Sequence, residues 1–260
     1  MKLNKKVILI TGASKGIGEA TARQCAAQGA RLVLAARSAE TLRKLEQQIR
    51  ADGGEAISIP TDVSNKQQVA HLVQSAISHY GHIDVLVNNA GYGVYENIRN
   101  LRFEDLEGMV NVNLYGAVHC AEAVLPHMLE RRKPAQIVNV ASISGLIASN
   151  NQSFYCATKF ALVGLTRTMQ IDLRGTKVRC ALICPGAVHT DFITADVERH
   201  LTRLSRLIPR LDADDVARAI VRAIKRRSNG ETVIPALVRP FVLLSGVCPA
   251  CTRTLMRLFG

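Results

Sequence analysis

The chain has 260 residues, 48% of them hydrophobic, with no Trp and few other aromatics, so its core must be largely aliphatic and a disordered chain is excluded. Lys and Arg outnumber Asp and Glu by 33 to 21, a net charge of +12. Such a balance can serve nucleic acid or an anionic surface. However, the cations cluster only at Arg131 to Lys133, Arg199 to Arg210 and Lys225 to Arg227, with no nucleic-acid motif and no interleaved aromatics, so nucleic acid is not expected as a partner.

The amino-terminal apolar run, Val7–Ile10, is too short for a signal peptide and reads as a buried strand. A helical pattern follows from Ile17 to Gln28, closed by Gly29. Arg31–Ala35 is a second strand, Ala39–Asp52 a charged amphipathic helix stopped by Gly53 and Gly54, and Ala56–Ile59 a third strand. Asn65–Tyr80 is helical, with Gly81 after it, and Asp84–Val87 is the fourth strand. Long helical stretches near Glu104–Arg131 and Ser153–Leu173 enclose a fifth strand at Ile137–Ala141. Arg179–Ile183 and Thr232–Ile234 supply two more. Unbroken apolar strands alternating with helices predict an α/β fold, a single-domain Rossmann-type doubly wound parallel sheet of about seven strands with helices on both faces. Residues 1–235 are expected to form one domain, and 236–260 an apolar, basic extension of it.

The seven Cys are odd in number and scattered, which fits a reducing, cytoplasmic setting. Cys248 and Cys251 form one CxxC with no second pair and no nearby His. It reads as a chance spacing, and no metal site is expected.

Between the first strand and first helix stands Thr11-Gly12-Ala13-Ser14-Lys15-Gly16-Ile17-Gly18. Glycines there let the chain turn tightly and a pyrophosphate approach the backbone, and the helix start offers free N–H groups. The placement after a strand and before a helix gives the motif its meaning. The second strand runs on into Ala36 and Arg37. A ribose 2′-hydroxyl calls for an acid here, and a 2′-phosphate for an Arg. Ala36 offers no acid, whereas Arg37 and Lys15 offer two cations, which predicts NADP(H) over NAD(H).

Further motifs follow in order: Asp62-Val63, Asn88-Asn89-Ala90-Gly91, Asn113, Ser142, Tyr155-Cys156-Ala157-Thr158-Lys159 and Pro185-Gly186-Ala187-Val188-His189-Thr190. With the glycine loop, this set resembles the classical short-chain dehydrogenase/reductases over about residues 5 to 235. The resemblance implies that Asp62 and Val63 flank the adenine ring. It implies that Asn88 to Gly91 support the central strands and cofactor, and that Pro185, Gly186, Val188 and Thr190 line the nicotinamide side. Asn113, Ser142, Tyr155 and Lys159 match the family's catalytic tetrad. By that match Lys159 also binds the nicotinamide ribose and Asn113 holds a proton-relaying water. The family also implies a homodimer or homotetramer through the helices around Tyr115–Glu130 and Ser153–Leu173.

The residue types agree with that assignment. Tyr155 and Lys159 are four apart on a helix and share a face. A neighbouring ammonium is expected to lower the phenol's pKa from about 10, so that Tyr155 can exchange a proton with a forming alkoxide. Ser142 follows a strand at the edge where such sheets bind ligands, and can bond a carbonyl oxygen. Tyr92, Ser144, Leu146, Gln152, Val188 and Phe192 are expected to line a substrate pocket. A helical flap from Phe192 to Arg210 is expected to cover it. That apolar lining with a basic rim suggests a hydrophobic carbonyl substrate.

Thr232–Cys251 is strongly apolar, with Arg239 its only charge, but Pro235, Pro240 and Pro249 argue against a spanning helix. With Arg253 and Arg257 beyond, the segment reads either as an interfacial anchor on anionic lipid, a peripheral membrane contact, or as a piece packed on the domain or a partner subunit. The functional expectation is an NADPH-dependent oxidoreductase acting on a ketone, an aldehyde or the corresponding alcohol. The alternative is an NADP(H)-binding, redox-responsive interaction protein with little turnover. A sugar epimerase or dehydratase would need a larger substrate domain.

Overall fold

Every residue of strand β1 (Val7–Thr11) is buried, and its side chains alternate between two cores. Val7 and Leu9 enter one, Ile8 and Ile10 the other. A strand covered on both faces has no solvent side, which is why it reads as an unbroken apolar run. The computed structural model describes residues 2–189, 210–252 and 254.

Around β1 lie β2 (Arg31–Ala36), β3 (Glu55–Pro60), β4 (Val85–Asn88), β5 (Ala135–Val140) and β6 (Val178–Pro185). The short strands β7 (Val188–His189) and β8 (Leu211–Asp212) pair apart from this sheet, and β9 (Glu231–Ile234) closes it. The main sheet has seven strands in the order β3-β2-β1-β4-β5-β6-β9, all parallel. Ile8 stands beside Leu32 of β2 and Val85 of β4. The strand order reverses at β1 and β4, and the crevice beyond their carboxyl ends is where such sheets take ligands.

Helices α1 (Gly16–Ala26), α2 (Ala39–Ala51) and α7 (Ala213–Arg226) cover the Ile8 face, through Cys25, Leu42, Ile49, Val216, Ile220 and Ile224. The Leu9 face is covered by α3 (Lys66–Tyr80) and α5 (Gly116–Glu130). At the β9 end, α6 (Ser153–Asp172) packs Leu162 and Val163 on Leu182, Cys184 and Val233. Among the described residues the remaining α-helices are α4 (Phe103–Val110) and α8 (Arg239–Val247).

The expected strands all form, within a residue or two at their ends. Four expectations change. Helix α1 ends at Ala26, and Gly29 closes the following turn by donating its N–H to Ala26 O at 2.8 Å. The stretch near Glu104–Arg131 is three segments, because a π-helical turn, Asn111–Tyr115, stands between α4 and α5. Helix α7 is unexpected, although Asp212 and Asp215 form a capping box at its start. Finally, the CxxC is not a chance spacing: the sulfurs of Cys248 and Cys251 are bonded to each other.

Candidate active site

The glycine loop is held by β4 rather than by its own turn. Thr11 Oγ1 donates to Val87 O at 3.3 Å and accepts from the N–H groups of Asn89 (3.0 Å) and Ala90 (3.1 Å). Asn89 Nδ2 reaches back to Thr11 O (3.1 Å) and Gly12 O (3.2 Å). This network clamps the ends of β1 and β4 together at the switch point. Gly12 has φ +64°, and a Cβ at Gly18 would stand 2.1 Å from Gly12 O. The loop therefore requires glycine at both places. Helix α1 starts directly at Gly16 and Ile17, with Ser14 and Lys15 just before it. A helix that starts directly after a strand and a glycine turn offers its first N–H groups as a phosphate site requires.

Around this cradle stand the other expected cofactor residues. Arg37 is exposed just past β2 and enters no ion pair among the described residues. Its charge acts to lower the pKa of the Tyr92 phenol, which sits after β4. Burial nevertheless raises the Tyr92 phenol overall, with Asp105 adding to the rise. Asp62 is turned onto Ser64, accepting from its N–H (2.9 Å) and hydroxyl (2.7 Å). Val63 packs against Gly116, where a Cβ would lie 2.6 Å from it. Pro185 ends β6, the N–H of Gly186 just after it donates to Ile234 O at 2.7 Å, and Val188 is buried in β7. Backbone shaped to admit no side chain, at a helix start and a switch point, fits a nicotinamide dinucleotide.

Three elements bring the candidate tetrad to the same edge of the sheet. Ser142 follows β5 and caps the 3-10 turn Ile143–Gly145. Its Oγ accepts from Ser144 N at 3.1 Å and donates to Pro185 O at 3.4 Å. Tyr155 is buried in the first turn of α6, where Ser142 acts to hold the pKa of its phenol down. One turn on, Lys159 Nζ donates to Val140 O at 3.2 Å and lies 5.7 Å from the Tyr155 ring centre. Gly91 lets the ammonium pass, since a Cβ there would be 3.5 Å from Nζ and 3.0 Å from Asn113 Oδ1. Asn113, in the π-helical turn, accepts from Tyr92 N (2.9 Å) and donates to Tyr92 O (2.8 Å) and Thr158 Oγ1 (3.1 Å). A π-helical turn at such a place is a recurring mark of functional sites.

The electrostatics correct one expectation. Burial drives the Tyr155 phenol well above its ordinary pKa, and the hydrogen bonds from Ser142 and Tyr95 offset only part of that rise. Burial also pushes the Lys159 ammonium down, to about 8. In the free protein, desolvation therefore outweighs the neighbouring charge, and Tyr155 is poised as an acid rather than a phenolate.

Sequence reasoning missed Tyr95 and Thr158. The Tyr95 ring lies 5.4 Å from that of Tyr155, tilted by 35°, and the two phenols perturb each other's pKa. Thr158 joins Asn113 to α6, donating to Tyr155 O at 2.8 Å. On the substrate side Ser144 Oγ donates to Gln152 Oε1 at 2.9 Å beside half-buried Leu146. Thr190, Phe192 and the expected flap up to residue 209 lie outside the described residues.

A family model for the short chain dehydrogenases matches residues 6–200. The chain belongs to the short-chain dehydrogenase/reductase family. Its relatives include the ketoacyl reductase HetN of Nostoc sp., 34% identical over 263 residues, covering 99% of this chain and 90% of that protein. An uncharacterised oxidoreductase of Listeria innocua is 37% identical over 244 residues, 90% of this chain and 98% of its own. Among solved structures, a short-chain dehydrogenase/reductase from Burkholderia phymatum in complex with NAD superposes with a TM-score of 0.87 at 32% identity, covering 95% of this chain and 94% of that one. The family makes this short-chain dehydrogenase/reductase an oxidoreductase that takes a nicotinamide cofactor.

Proposed function

We propose that this protein is an NADPH-dependent reductase of a hydrophobic ketone or aldehyde, reversible as an alcohol dehydrogenase. The observation that carries this reading is the buried Tyr155 phenol, with Lys159 Nζ 5.7 Å from its ring centre and Ser142 acting on its pKa, at the edge of the sheet where the glycine cradle opens. The glycine loop, Asn89 to Gly91 and the end of β6 would hold the cofactor, which when bound supplies the hydride. Tyr155 donates its proton to the carbonyl oxygen as negative charge develops there, and Ser142 Oγ hydrogen-bonds the same oxygen. Lys159 favours the phenolate left behind. Asn113, pinned by Tyr92 and Thr158, completes the route by which a proton returns. HetN, named as a ketoacyl reductase, supports a carbonyl substrate. Leu146, Tyr92 and Tyr95 give the mouth its apolar character. A homodimer or homotetramer is supported by exposed apolar side chains on two long helices, Leu129 on α5 and Phe160 and Ile171 on α6.

The cofactor preference rests on Arg37 and Lys15 with Ala36 between strand and helix. Replacing Arg37 by Ala should weaken NADPH binding by roughly 10- to 50-fold, the scale of one exposed charge-assisted pair, and leave NADH nearly unchanged. Titration of both cofactors, with turnover of a ketone and aldehyde panel followed by NADPH absorbance, tests the reading. Wild-type preference for NADH would overturn the NADP assignment.

Lys159 sets an alkaline limit. With its ammonium pushed down to about 8, the charge is present below that pH and lost as pH rises through it. The value of kcat/KM for NADPH, which reports the free enzyme, should therefore fall above about pH 8. A profile that stays flat well beyond that point would contradict the role given to Lys159.

A further inference from the structure

We propose that the outward face of α8 docks on an anionic membrane surface, and that the substrate reaches the active site from that surface. The second half rests on the reductase reading; the first does not. Helix α8 inverts the pattern of an ordinary surface helix, whose solvent side is polar. Phe241 and Val242 turn inward and pack on the cluster formed by α6 and β9. Pro240, Leu243, Leu244 and Val247 are spaced i, i+3, i+4 and i+7, so they share one face, and all four are exposed. Leu243 is 69% exposed and Val247 86%, and Leu237, just before the helix, is 59% exposed. No residue of α8 is buried.

Charge selects the occupant. No Asp or Glu follows Glu231, whereas Arg239, Arg253 and Arg257 do, in a chain already carrying +12. An apolar stripe in a stretch of sequence whose only charges are cations complements anionic headgroups over an acyl interior. A second copy is a poorer fit. One face of a nine-residue helix is about 14 Å long and 10 Å wide, roughly a few hundred Å² at most, against about 800 Å² per partner in a stable dimer. Two copies would also bring like charges together. Among the described residues no helix is long and apolar enough to cross a membrane, which leaves a surface contact.

The stripe adjoins the site. Ile234, at the end of β9, accepts from Gly186 N–H beside the candidate nicotinamide side, and α8 begins five residues later. Phe241 and Val242 share their packing cluster with Ile143 and Leu146, which follow Ser142, and with Leu162, one turn beyond Lys159. A lipid-borne carbonyl compound would thus leave the bilayer next to the mouth that reduces it.

The test is flotation of the full chain with phosphatidylcholine vesicles, with and without phosphatidylglycerol, for wild type and for Leu243→Ser with Val247→Ser. These substitutions are exposed and leave the net charge unchanged. The wild type should float with the anionic vesicles and the double variant should bind them about ten-fold more weakly or worse, with NADPH affinity and turnover of a water-soluble ketone intact. Turnover of a long-chain methyl ketone dissolved in those vesicles should fall with vesicle binding. A wild type that ignores anionic vesicles, a variant that floats equally well, or a variant that changes only the mass in solution would overturn the proposal. Absence of turnover on any ketone would sink the reductase reading instead, because flotation is read without it.

Discussion

Tyr155→Phe is expected to lower turnover by roughly 100- to 10,000-fold, the span that a general acid contributes, while NADPH affinity changes by no more than a few-fold. The substitution keeps the ring, and with it the packing against Tyr95 at 5.4 Å and the burial that fixes the first turn of α6. What it deletes is the phenol oxygen on which Ser142 and Tyr95 act. Ser142 retains its contacts with Ser144 N and Pro185 O, so the 3-10 turn has no reason to move. The loss should therefore appear in kcat, with thermal stability near wild type. Activity surviving at the wild-type level would remove Tyr155 from the proton path. If the wild type itself bound NADPH tightly and turned over no carbonyl compound of a broad panel, the interaction-protein reading would gain ground.

Most of the fold is legible in the sequence because its strands are buried on both faces, and such strands leave an unmistakable apolar run between helical stretches. The glycine loop is legible for a related reason: Gly12 and Gly18 stand where backbone meets backbone, and no other residue fits. The four candidate tetrad residues come from the resemblance, since Asn113, Ser142 and Tyr155 lie on separate elements and only the fold joins them. Tyr95 escapes because it sits in an aperiodic loop and meets Tyr155 across 60 positions of chain. Helix α7 had a readable signal, the Asp212 and Asp215 capping box before Val216, Ile220 and Ile224 at helical spacing. The state of Tyr155 was not readable at all. Sequence counts the charge of Lys159 four residues away, whereas burial, which sets the direction here, belongs to the folded molecule. The outward stripe of α8 is likewise a fact of packing. Composition shows that the segment is apolar, and only the fold shows that Phe241 faces in while Leu243 faces out.

Gly18→Ala is expected to abolish measurable NADPH binding and to lower thermal stability, although it adds a single methyl group. That methyl would stand 2.1 Å from Gly12 O and 2.7 Å from Asn89 Nδ2. Neither neighbour can yield cheaply. Gly12 O is backbone, and it accepts from the same Asn89 amide that ties the loop to β4. Relief of the clash must therefore push α1 away from the end of β1 or break the Asn89 clamp, and either displaces the helix start from the phosphate site. Overpacking of this kind costs about 1–3 kcal/mol, a fall in Tm of roughly 2–12 °C for a chain of this size. Gly164→Ala supplies the contrast. It lies inside α6 with nothing within 4 Å of the new methyl, so the same chemical change should be neutral or stabilise by about 0.5–1 kcal/mol. Thermal melts and NADPH titrations of the two variants, side by side, separate a steric effect at the cradle from a general dislike of alanine. Wild-type affinity in Gly18→Ala would mean that the loop does not hold the pyrophosphate as the geometry requires, and the cofactor assignment would have to be sought elsewhere in the crevice.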